Sequence, residues 1–478
     1  MGQDRQKRGH LARADELLEA IRTFCRQHGM AETTFGRRAV NDRKFVGRVR
    51  DGARISLRTL QKVEAFMAKT TSEVEKPFVI GSGMQTESDT TQAAVDSGTE
   101  KTKEEVAHFR FFDNRQKYLL FVNTCSEKKV VASRVGMEMS QLQPRPPAMR
   151  IFDAGVGDGT VLAHVLRDMH RRFPTMPFYV AAKEVSLEDV RLTLEKMPDR
   201  LFEHPAMVMI ITNMHYAEAP WFTPKSSAAA GAMVWRDVAL TGSTAHEFQV
   251  QIDEQHEFLS ENWGAHASEK TGNPLYDRPA VLVLYREDYR FLLDDVIPRR
   301  GAQRADYDLV IASQPYRLRA STEFKASRVL APLALSLAPG GRLLGIHSYG
   351  HDPGMEIIQR VWGTDENPFT MNRQALLATV KSELGRDARN FKFNAYSDKR
   401  SIFRYDMHTL PTEINPSIGT STLFAAWNAA IYVAQIEEKR LSEALADPAY
   451  LKATQEVLEE NNGLWFNDES FVISRARN

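Results

Sequence analysis

Three glycines at alternate positions follow an aspartate in the stretch RIFDAGVGDGTVLAHVL, residues 150–166. Asp153 ends a short apolar run, and Gly155, Gly157 and Gly159 come before an amphipathic run begins. Glycine lets the backbone adopt positive φ and lets a ligand lie directly on the main chain. The N-terminus of the following helix offers unpaired N–H groups. The pattern therefore predicts a ligand-binding turn between a buried strand and a helix.

The acids in this turn indicate which kind of ligand it takes. A dinucleotide site has the spacing G-x-G-x-x-G, which sets a pyrophosphate at the helix N-terminus. Here the letters are D-A-G-V-G-D-G, with carboxylates at Asp153 and Asp158 that disfavour a pyrophosphate and favour an ammonium or sulfonium group. The sequence resembles the class I S-adenosylmethionine-dependent methyltransferases, whose first motif is an acid followed by G-x-G-x-G. That resemblance implies S-adenosylmethionine as the cofactor, bound at Asp153 and the three glycines.

Two further positions are predicted to bind the cofactor. The strand PFYVAAKE ends at Glu184, and an acid at the tip of a second strand can accept hydrogen bonds from both ribose hydroxyls. The resemblance also implies an acid or amide after the third strand, facing the adenine amino group. If PAVLVLY is the third strand, that residue is Asp288, with Glu287 as the alternate; if AMVMIITNM is the third strand, it is Asn213.

The segment YDLVIASQPY carries the acceptor prediction. Its last four residues, Ser313 to Tyr316, stand where amino-methylating members of the resembling family carry N/D/S-P-P-Y/F/W. The resemblance implies that Ser313 and backbone carbonyls accept hydrogen bonds from an amine while the Tyr316 ring stacks on it. A nitrogen acceptor needs mainly an in-line orientation at about 3 Å from the methyl group. Gln314 replaces the first proline, so the match is partial; an ordinary strand tip is the alternative, and the acceptor stays open.

Histidines and a tyrosine follow the strand in LAPGGRLLGIHSYG. His347, Tyr349 and His351 are candidates for a general base, and a hydrogen-bonded structural role is the alternative for each. The histidines are scattered and the two cysteines are far apart, so no spacing matches a zinc site and no metal is predicted.

These residues can form one site only if the carboxyl ends of their strands lie at the same edge of a sheet. The alternation of apolar strands and amphipathic helices predicts an α/β fold, a doubly wound, mostly parallel Rossmann-like methyltransferase sheet with ligands at the carboxyl ends of the strands. An insertion is expected at about 214–279, where VWRDVALTGSTAHEFQVQI alternates well enough for a hairpin. NFKFNAY and SIFRYDMHT are expected to form the last, antiparallel pair of strands.

Two flanking segments are predicted to be helical. The segment at 109–129 is expected to close over the methionine end of the cofactor, with Tyr118 as a candidate contact. GTSTLFAAWNAAIYVAQIEEKRLSEAL is predicted to be one long helix of a C-terminal helical extension. Its Trp427 and Tyr432 either pack against the body, cap a substrate pocket, or form the seam of a homodimer.

Charge is unevenly distributed along the 478 residues. The formal net charge is zero, but residues 1–70 hold 16 Lys and Arg against 8 Asp and Glu, a surplus of +8. Residues 10–69 are predicted to form a small all-α basic domain, 70–104 a flexible linker rich in Ser, Thr, Glu and Gly, and 105–478 the methyltransferase domain. A basic head on an acidic body suggests an anionic partner.

Within the head, TTFGRRAVNDRKFVGRVRDG resembles the phage-repressor-type helix-turn-helix. The resemblance implies a helix over Phe35–Val40 and a recognition helix over Arg43–Arg50, with Phe45 and Val49 inward. The residues implied to face duplex DNA are basic: Arg43, Lys44 and Arg48. A basic bundle that binds a protein is the alternative.

Composition restricts the remaining classes. Two cysteines allow no disulfide framework and fit a reducing cytoplasm. No uninterrupted apolar run reaches the length of a membrane span, and the first residues show no signal core, so a cytoplasmic location is expected. The predicted function is an S-adenosylmethionine-dependent methyltransferase with an unidentified acceptor. The alternative is a DNA-binding transcriptional regulator that uses the methyltransferase fold as a ligand sensor.

Overall fold

The computed structural model divides the chain into two compact units, Met1–Thr102 and Lys103–Asn478. It describes residues 17–18, 21–25, 30–40, 42, 44–50, 59, 62–63, 66–67, 115–268, 273–301, 304–408 and 418–477. The predicted linker, 70–104, lies outside the described residues, so its boundaries stay a prediction.

Two helices of the first unit lie wholly within the described residues, α1 (Glu32–Val40) and α2 (Phe45–Arg50). Both contribute to one apolar cluster. Its members include Ile21, Phe24, Phe35, Phe45, Val46 and Val49. Phe45 and Val49 point inward, as predicted, and α1 begins three residues earlier than the helix expected there.

The second unit is built on a large sheet, and its first strand begins at Met149. In chain order the strands are β1 (Met149–Asp153), β2 (Phe178–Lys183), β3 (Met207–Thr212), β4 (Val234–Leu240), β5 (Ala265–Ala267), β6 (Pro274–Tyr276), β7 (Ala280–Arg286), β8 (Tyr307–Ser313), β9 (Leu337–Ser348), β10 (Phe391–Asn394), β11 (Ile402–Asp406) and β12 (Trp465–Arg475). β5 and β6 form a separate two-stranded sheet.

The order across the large sheet is β10-β12-β9-β8-β1-β2-β3-β7-β4, with β11 also paired to β12. β1 pairs in parallel with β2 and β8, β2 with β3, and β8 with β9. β7 runs antiparallel to β3, and β12 antiparallel to β9. The chain thus leaves β1 toward β2 on one side and returns to β8 on the other, which creates the crevice where such folds bind ligands. The predicted fold class is confirmed.

Helices cover both faces of the sheet, and successive strand residues enter opposite cores. Ile151 and Val180 join one buried cluster, whereas Phe152 and Ala181 join the other. The alternation follows from the two-residue period of a strand. Because both faces are covered there, the central parallel strands β1, β2, β3 and β8 are largely apolar.

The helices of the second unit lie before, between and after the strands. In chain order they are α3 (Arg115–Thr124), α4 (Glu127–Met139), α5 (Thr160–Arg172), α6 (Leu187–Glu195), α7 (Met197–Glu203), α8 (Ser227–Ala232), α9 (Ala245–Asp253), α10 (His256–Asn262), α11 (Thr322–Phe324), α12 (Ala331–Leu335), α13 (Pro353–Trp362), α14 (Arg373–Leu384), α15 (Asp398–Ser401), α16 (Thr420–Val433), α17 (Glu438–Ala444) and α18 (Ala449–Asn461). A π-helical turn, Lys325–Leu330, joins α11 to α12. Within the described ranges no helix is long and apolar enough to cross a membrane.

The insertion folds differently from the hairpin that was expected. β4 is followed by α9 and α10, and the chain then returns as β7, which pairs in parallel with β4. A capping box explains the helix: the Thr244 side chain accepts from the Glu247 backbone N–H, and the Glu247 side chain accepts from the Thr244 N–H. The hairpin prediction is wrong because alternation over one strand does not reveal the T-x-x-E helix start behind it.

Two other elements also differ from the sequence predictions. β10 and β11 do not pair with each other; each runs antiparallel to β12, over Val472–Arg475 and Trp465–Glu469 respectively. The predicted long C-terminal helix ends at Val433, and Gln435 has a positive φ of 49° before α17 begins. Trp427 is buried, with its ring stacked on Trp362 at 5.6 Å, so packing against the body explains it without a dimer seam.

Candidate functional site

The predicted site residues meet at one edge of the sheet because the register aligns the strand ends. Asp153 is the register partner of Ala182 on β2 and of Ile311 on β8. Glu184 and Ser313 each follow those partners by two residues, so they lie beyond the same edge. The acid after β1, the acid after β2 and the Ser313–Tyr316 segment therefore surround one crevice.

The glycine turn connects β1 to α5, and its three glycines have different reasons to be glycine. Gly157 and Gly159 have positive φ values of 55° and 77°. A Cβ at Gly159 would lie 2.8 Å from Cα of Thr193, so this glycine allows α5 and α6 to approach. A Cβ at Gly155 would meet nothing within 4 Å. The open space at Gly155 is therefore the part of the turn that a ligand can occupy.

Glu184 links this turn to the end of β2. One carboxylate oxygen accepts hydrogen bonds from the backbone N–H groups of Val185 and Ser186 at 2.8 and 2.9 Å, and the other accepts from Gly157 N–H at 3.0 Å. A carboxylate offers about four acceptor positions. Three of these positions are occupied, so one ribose hydroxyl can donate to the fourth. Glu184 can accept from both ribose hydroxyls only if its bond to the Gly157 N–H is broken.

Asp153 and Asp158 differ in their electrostatics. Burial, with the charge of Glu184 adding to it, raises the pKa of Asp153 to about 7, although the Gly155 N–H donates to it at 3.2 Å. Burial also acts on Asp158, but the Thr160 hydroxyl and nearby lysines outweigh it and lower the pKa of Asp158. Tyr118 on α3 donates to Asp158 at 3.2 Å, so the predicted covering helix contacts the glycine turn.

The three candidates for the adenine amino group lie at different edges of the sheet. β3, not β7, is the neighbour of β2, and because β7 is antiparallel its last residue lies at the opposite edge of the sheet. The structure therefore contradicts the prediction for Asp288, which pairs with Arg286 there at 3.0 Å, and for its neighbour Glu287. Asn213 is at the right edge, but its amide bonds the backbones of Arg278 and Ala280 at 2.8 Å. Its role is to hold the start of β7.

The Ser313–Tyr316 segment leaves β8 toward the crevice. Ser313 is half-buried, and Gln314 has a positive φ of 48°. The Gln314 amide donates to the Ser348 hydroxyl at 3.1 Å and to Asp468 at 3.3 Å, which accounts for an amide where the resembling family has proline. The Pro315 carbonyl accepts from the Tyr216 hydroxyl at 2.5 Å, so one carbonyl implied to hold an amine already has a partner.

Tyr316 begins a chain of buried hydrogen bonds. Its hydroxyl contacts Nδ1 of His347 at 2.8 Å, and Nε2 of His347 contacts Oε1 of Glu469 at 2.7 Å. Arg373 donates to the other oxygen of Glu469 at 2.8 Å. Burial opposes ionisation of Glu469, but the bonds from His347 and Arg373 lower its pKa. Since a carboxylate only accepts, His347 donates from Nε2 and accepts the Tyr316 hydroxyl proton at Nδ1.

Two residues near the crevice were not identified from the sequence. Tyr216 lies in the loop after β3, with the Lys183 ammonium 4.8 Å from its ring centroid. Trp263, at the end of α10, donates its indole N–H to the Glu184 carbonyl at 2.9 Å. If the sequence had identified β3 as the third strand, the loop after it, which contains Tyr216, would have been predicted to lie at the crevice. No feature of the sequence predicts that Trp263 lies beside Glu184.

The remaining two candidates for a general base contact each other. Tyr349 and His351 follow β9, and their rings contact each other at 5.0 Å. In the part of the chain that the structure describes, no group of three or more histidine, cysteine or acidic side chains could hold a metal ion.

The basic residues of the first unit are partly described. Arg43 lies outside the described residues. Lys44 and Arg48 are exposed, and Arg48 forms an ion pair with Asp42. DNA contact by these residues stays a prediction.

No family model matches the chain, and no curated protein matches it significantly. Solved structures do. A geranyl diphosphate methyltransferase in complex with GPP and sinefungin is 11% identical over 73% of this chain and 77% of that chain, with a TM-score of 0.27. A Haemonchus contortus phosphoethanolamine N-methyltransferase 2 in complex with S-adenosyl-L-methionine is 11% identical over 78% of this chain and 61% of that chain, with a TM-score of 0.27.

An rRNA methyltransferase from Streptomyces viridochromogenes is 16% identical over 46% of this chain and 73% of that chain, with a TM-score of 0.21. The names of all three are those of methyltransferases. Likeness at this level carries no information about an acceptor.

Proposed function

We propose that the chain is an S-adenosylmethionine-dependent methyltransferase. The observation that carries the proposal is the glycine turn, whose open space at Gly155 is bordered by the buried acids Asp153 and Glu184. Two carboxyl groups beside an unobstructed main chain suit a ligand with a sulfonium and an ammonium group. The cradle therefore fits this cofactor, which when bound supplies an electrophilic methyl group on sulfur.

The residues that would hold the cofactor follow from the geometry. The Gly155 main chain would lie against it, Glu184 would accept from a ribose hydroxyl at its free acceptor position, and Asp153 would supply negative charge nearby. Tyr118, bonded to Asp158, would exclude water from that side. No adenine partner is assigned.

Tyr316 and His347 are proposed to move a proton on the acceptor side. A hydroxyl acceptor must lose a proton when it is methylated, and a primary or secondary amine can lose one after the methyl group is transferred. That proton can pass to the Tyr316 hydroxyl oxygen as the Tyr316 proton passes to Nδ1 of His347, and the resulting imidazolium is stabilised by Glu469 at 2.7 Å. An acceptor hydroxyl or amine is compatible with this route.

The test is a calorimetric titration of the full chain with S-adenosylhomocysteine. Asp153→Ala and Glu184→Ala should each weaken binding by about 1–3 kcal/mol, since each leaves buried polar groups unsatisfied. Asp288→Asn is the matched control, because Asp288 lies at the other edge of the sheet. Binding that is unchanged in both alanine variants, or equally weakened in the control, would refute the proposal.

A sensor role without catalysis is the second candidate, because the basic first unit of a two-unit chain is a feature that an enzyme does not need. It predicts that the cofactor binds and that no methyl group is transferred. A screen with labelled S-adenosylmethionine against small amines, hydroxyl compounds and DNA distinguishes the two functions.

A further inference from the structure

A narrow cavity lies behind the Ser313–Tyr316 segment. Tyr316, Lys325 and His347 form its polar side, and Phe369 and Met371 contribute apolar surface. The volume open to the centre of a water molecule is about 10 Å³, which is room for about one water. In this conformation the cavity holds about one water molecule, so a carboxylate or phosphate group can enter only if the lining side chains move apart.

Lys325 is an unusual lining residue because its charge is buried and no described residue provides a counter-ion. The residue is only 3% exposed. Its ammonium donates to the Leu318 carbonyl at 2.8 Å and lies 5.0 Å from the centroid of the Tyr316 ring. Among the described residues no carboxylate lies within 4.0 Å of it. Burial lowers the pKa of Lys325 to about 8, so it remains mostly charged at neutral pH.

The other polar groups of the cavity are already occupied. The Tyr316 hydroxyl and His347 bond to each other, and His347 also bonds to Glu469. The Gln314 amide bonds to Ser348 and Asp468. An ammonium has three donors, and the Leu318 carbonyl takes one. Lys325 therefore holds the donors in this cavity that a ligand can use.

The backbone at Lys325 has an unusual form as well. Lys325 begins the π-helical turn Lys325–Leu330. Such turns are rare and are found often at functional sites. A buried cation without an anionic partner is unfavourable, and an anion entering the cavity would remove that penalty.

We propose that this cavity binds an oxyanion of the methyl acceptor, a carboxylate or a phosphate, with Lys325 as its counter-ion. The assignment to the acceptor rests on the proposed function, because the cavity adjoins Tyr316. Its consequence is that acceptors carry an acidic group, and neutral analogues without one are poor substrates.

The experiment titrates the full chain at pH 7 and constant ionic strength with two probes, sodium phosphate and sodium acetate, in separate calorimetric runs. The wild type should bind at least one of them saturably at one site, and Lys325→Met should bind it at least tenfold more weakly. The probe that binds more tightly identifies the class of oxyanion. Lys452→Met is the matched control, since Lys452 is 81% exposed; it should bind like the wild type.

Circular dichroism and a titration with S-adenosylhomocysteine establish that Lys325→Met is folded. If it is not, Lys325→Gln, which keeps a donor for the Leu318 carbonyl, is read in the same way. Saturable binding by neither probe, or equal binding by the wild type and the uncharged variant, overturns the inference. If the wild type does not bind S-adenosylhomocysteine, the proposed function is refuted instead. Failure of the oxyanion inference and failure of the proposed function therefore give different results.

Discussion

Asp153 illustrates how the placement of a single carboxyl group sets its chemistry. Burial and the neighbouring Glu184 raise its pKa to about 7, whereas an exposed aspartate titrates near 4. Because the folded-state pKa is raised, this group favours folding at low pH, and its contribution decreases as the pH rises from about 4 through 7. A bound cationic ligand favours the ionised form of Asp153 instead, because its positive charge stabilises the carboxylate.

The affinity for S-adenosylmethionine should therefore increase as the pH rises from 6 to 8. If only ionised Asp153 supports binding, the ratio of wild-type to Asp153→Asn affinity should rise by about tenfold over that range, as expected for a group titrating near 7. Calorimetry at both pH values measures it, and taking the ratio removes the titration of the ligand itself. A constant ratio would show that Asp153 does not respond to the cofactor's charge.

Tyr316 and His347 make a second residue-level prediction. Tyr316→Phe keeps the ring and removes the hydroxyl that contacts His347 at 2.8 Å. Loss of a general base commonly lowers rates by about 10²–10⁴-fold, so turnover should fall by about 10²-fold or more, with S-adenosylhomocysteine affinity unchanged. Steady-state kinetics with an acceptor found by the labelled-cofactor screen would measure this.

Tyr349→Phe is the control for that measurement, because Tyr349 follows β9 and contacts His351 rather than His347. His347→Gln should also lower turnover, because it removes the ring nitrogen that accepts the Tyr316 proton. A Tyr316→Phe variant with full turnover would exclude the proton route, and one that has lost cofactor affinity would place Tyr316 in the cofactor crevice instead.

At the scale of elements, different glycines of the glycine turn are expected to serve fold stability and cofactor binding. Gly159→Ala should destabilise the fold, because an alanine at a φ of 77° is strained by about 1–3 kcal/mol and its Cβ would meet Thr193 at 2.8 Å. Gly155→Ala adds a methyl group to open space, so the fold should keep its stability while S-adenosylhomocysteine binding weakens. Urea unfolding and calorimetry on the pair measure the two effects; the reverse assignment would refute this account of the turn.

The sequence predicted those elements whose signal is local. The D-A-G-V-G-D-G turn and the apolar runs of β1, β2, β8 and β9 identified the parallel centre of the sheet, because such strands are buried on both faces. Strand direction has no such local signal: β7 is as apolar as β3, and only its antiparallel pairing moves Asp288 to the opposite edge. β12 was missed because its polar residues Asp468, Glu469 and Ser470 are fully buried, against the usual pattern.

Longer-range contacts of the candidate site were also beyond the sequence. Tyr316 and His347 were both singled out there, but their hydrogen bond joins the segment after β8 to β9, and Glu469 comes from β12. Lys325 carries no motif at all. Its significance comes from burial without a carboxylate partner in the described residues, and burial depends on the tertiary fold rather than on the neighbouring letters.

At the scale of the whole molecule, the positive charge is concentrated in residues 1–70 of the first unit. The surplus of +8 over residues 1–70 belongs to the first unit, whose described basic side chains Lys44, Arg48 and Arg50 are exposed. Arg48 pairs with Asp42, and Arg50 pairs with Glu32. Exposed ion pairs of this kind contribute only about 0–1 kcal/mol, so phosphates can replace the carboxylates as partners.

Duplex DNA should therefore bind to the full chain with a strong salt dependence. Each neutralised phosphate contributes a log–log slope of about −0.9, so three or four contacts give about −3. Exchanging Arg43, Lys44 and Arg48 for Glu should abolish binding, measured by fluorescence anisotropy with a labelled duplex. Exchanging Lys399, Arg400 and Lys452, which lie in the second unit, for Glu is the control with the same change in charge.

The triple variant also decides what the first unit is for. Methyl transfer to a small molecule should survive the exchange, because the crevice is built from the second unit alone. Transfer to DNA, if DNA is the acceptor, should be lost together with binding. Absence of salt-dependent DNA binding by the wild type at low ionic strength would refute the helix-turn-helix interpretation and leave the first unit as a basic bundle that binds a protein.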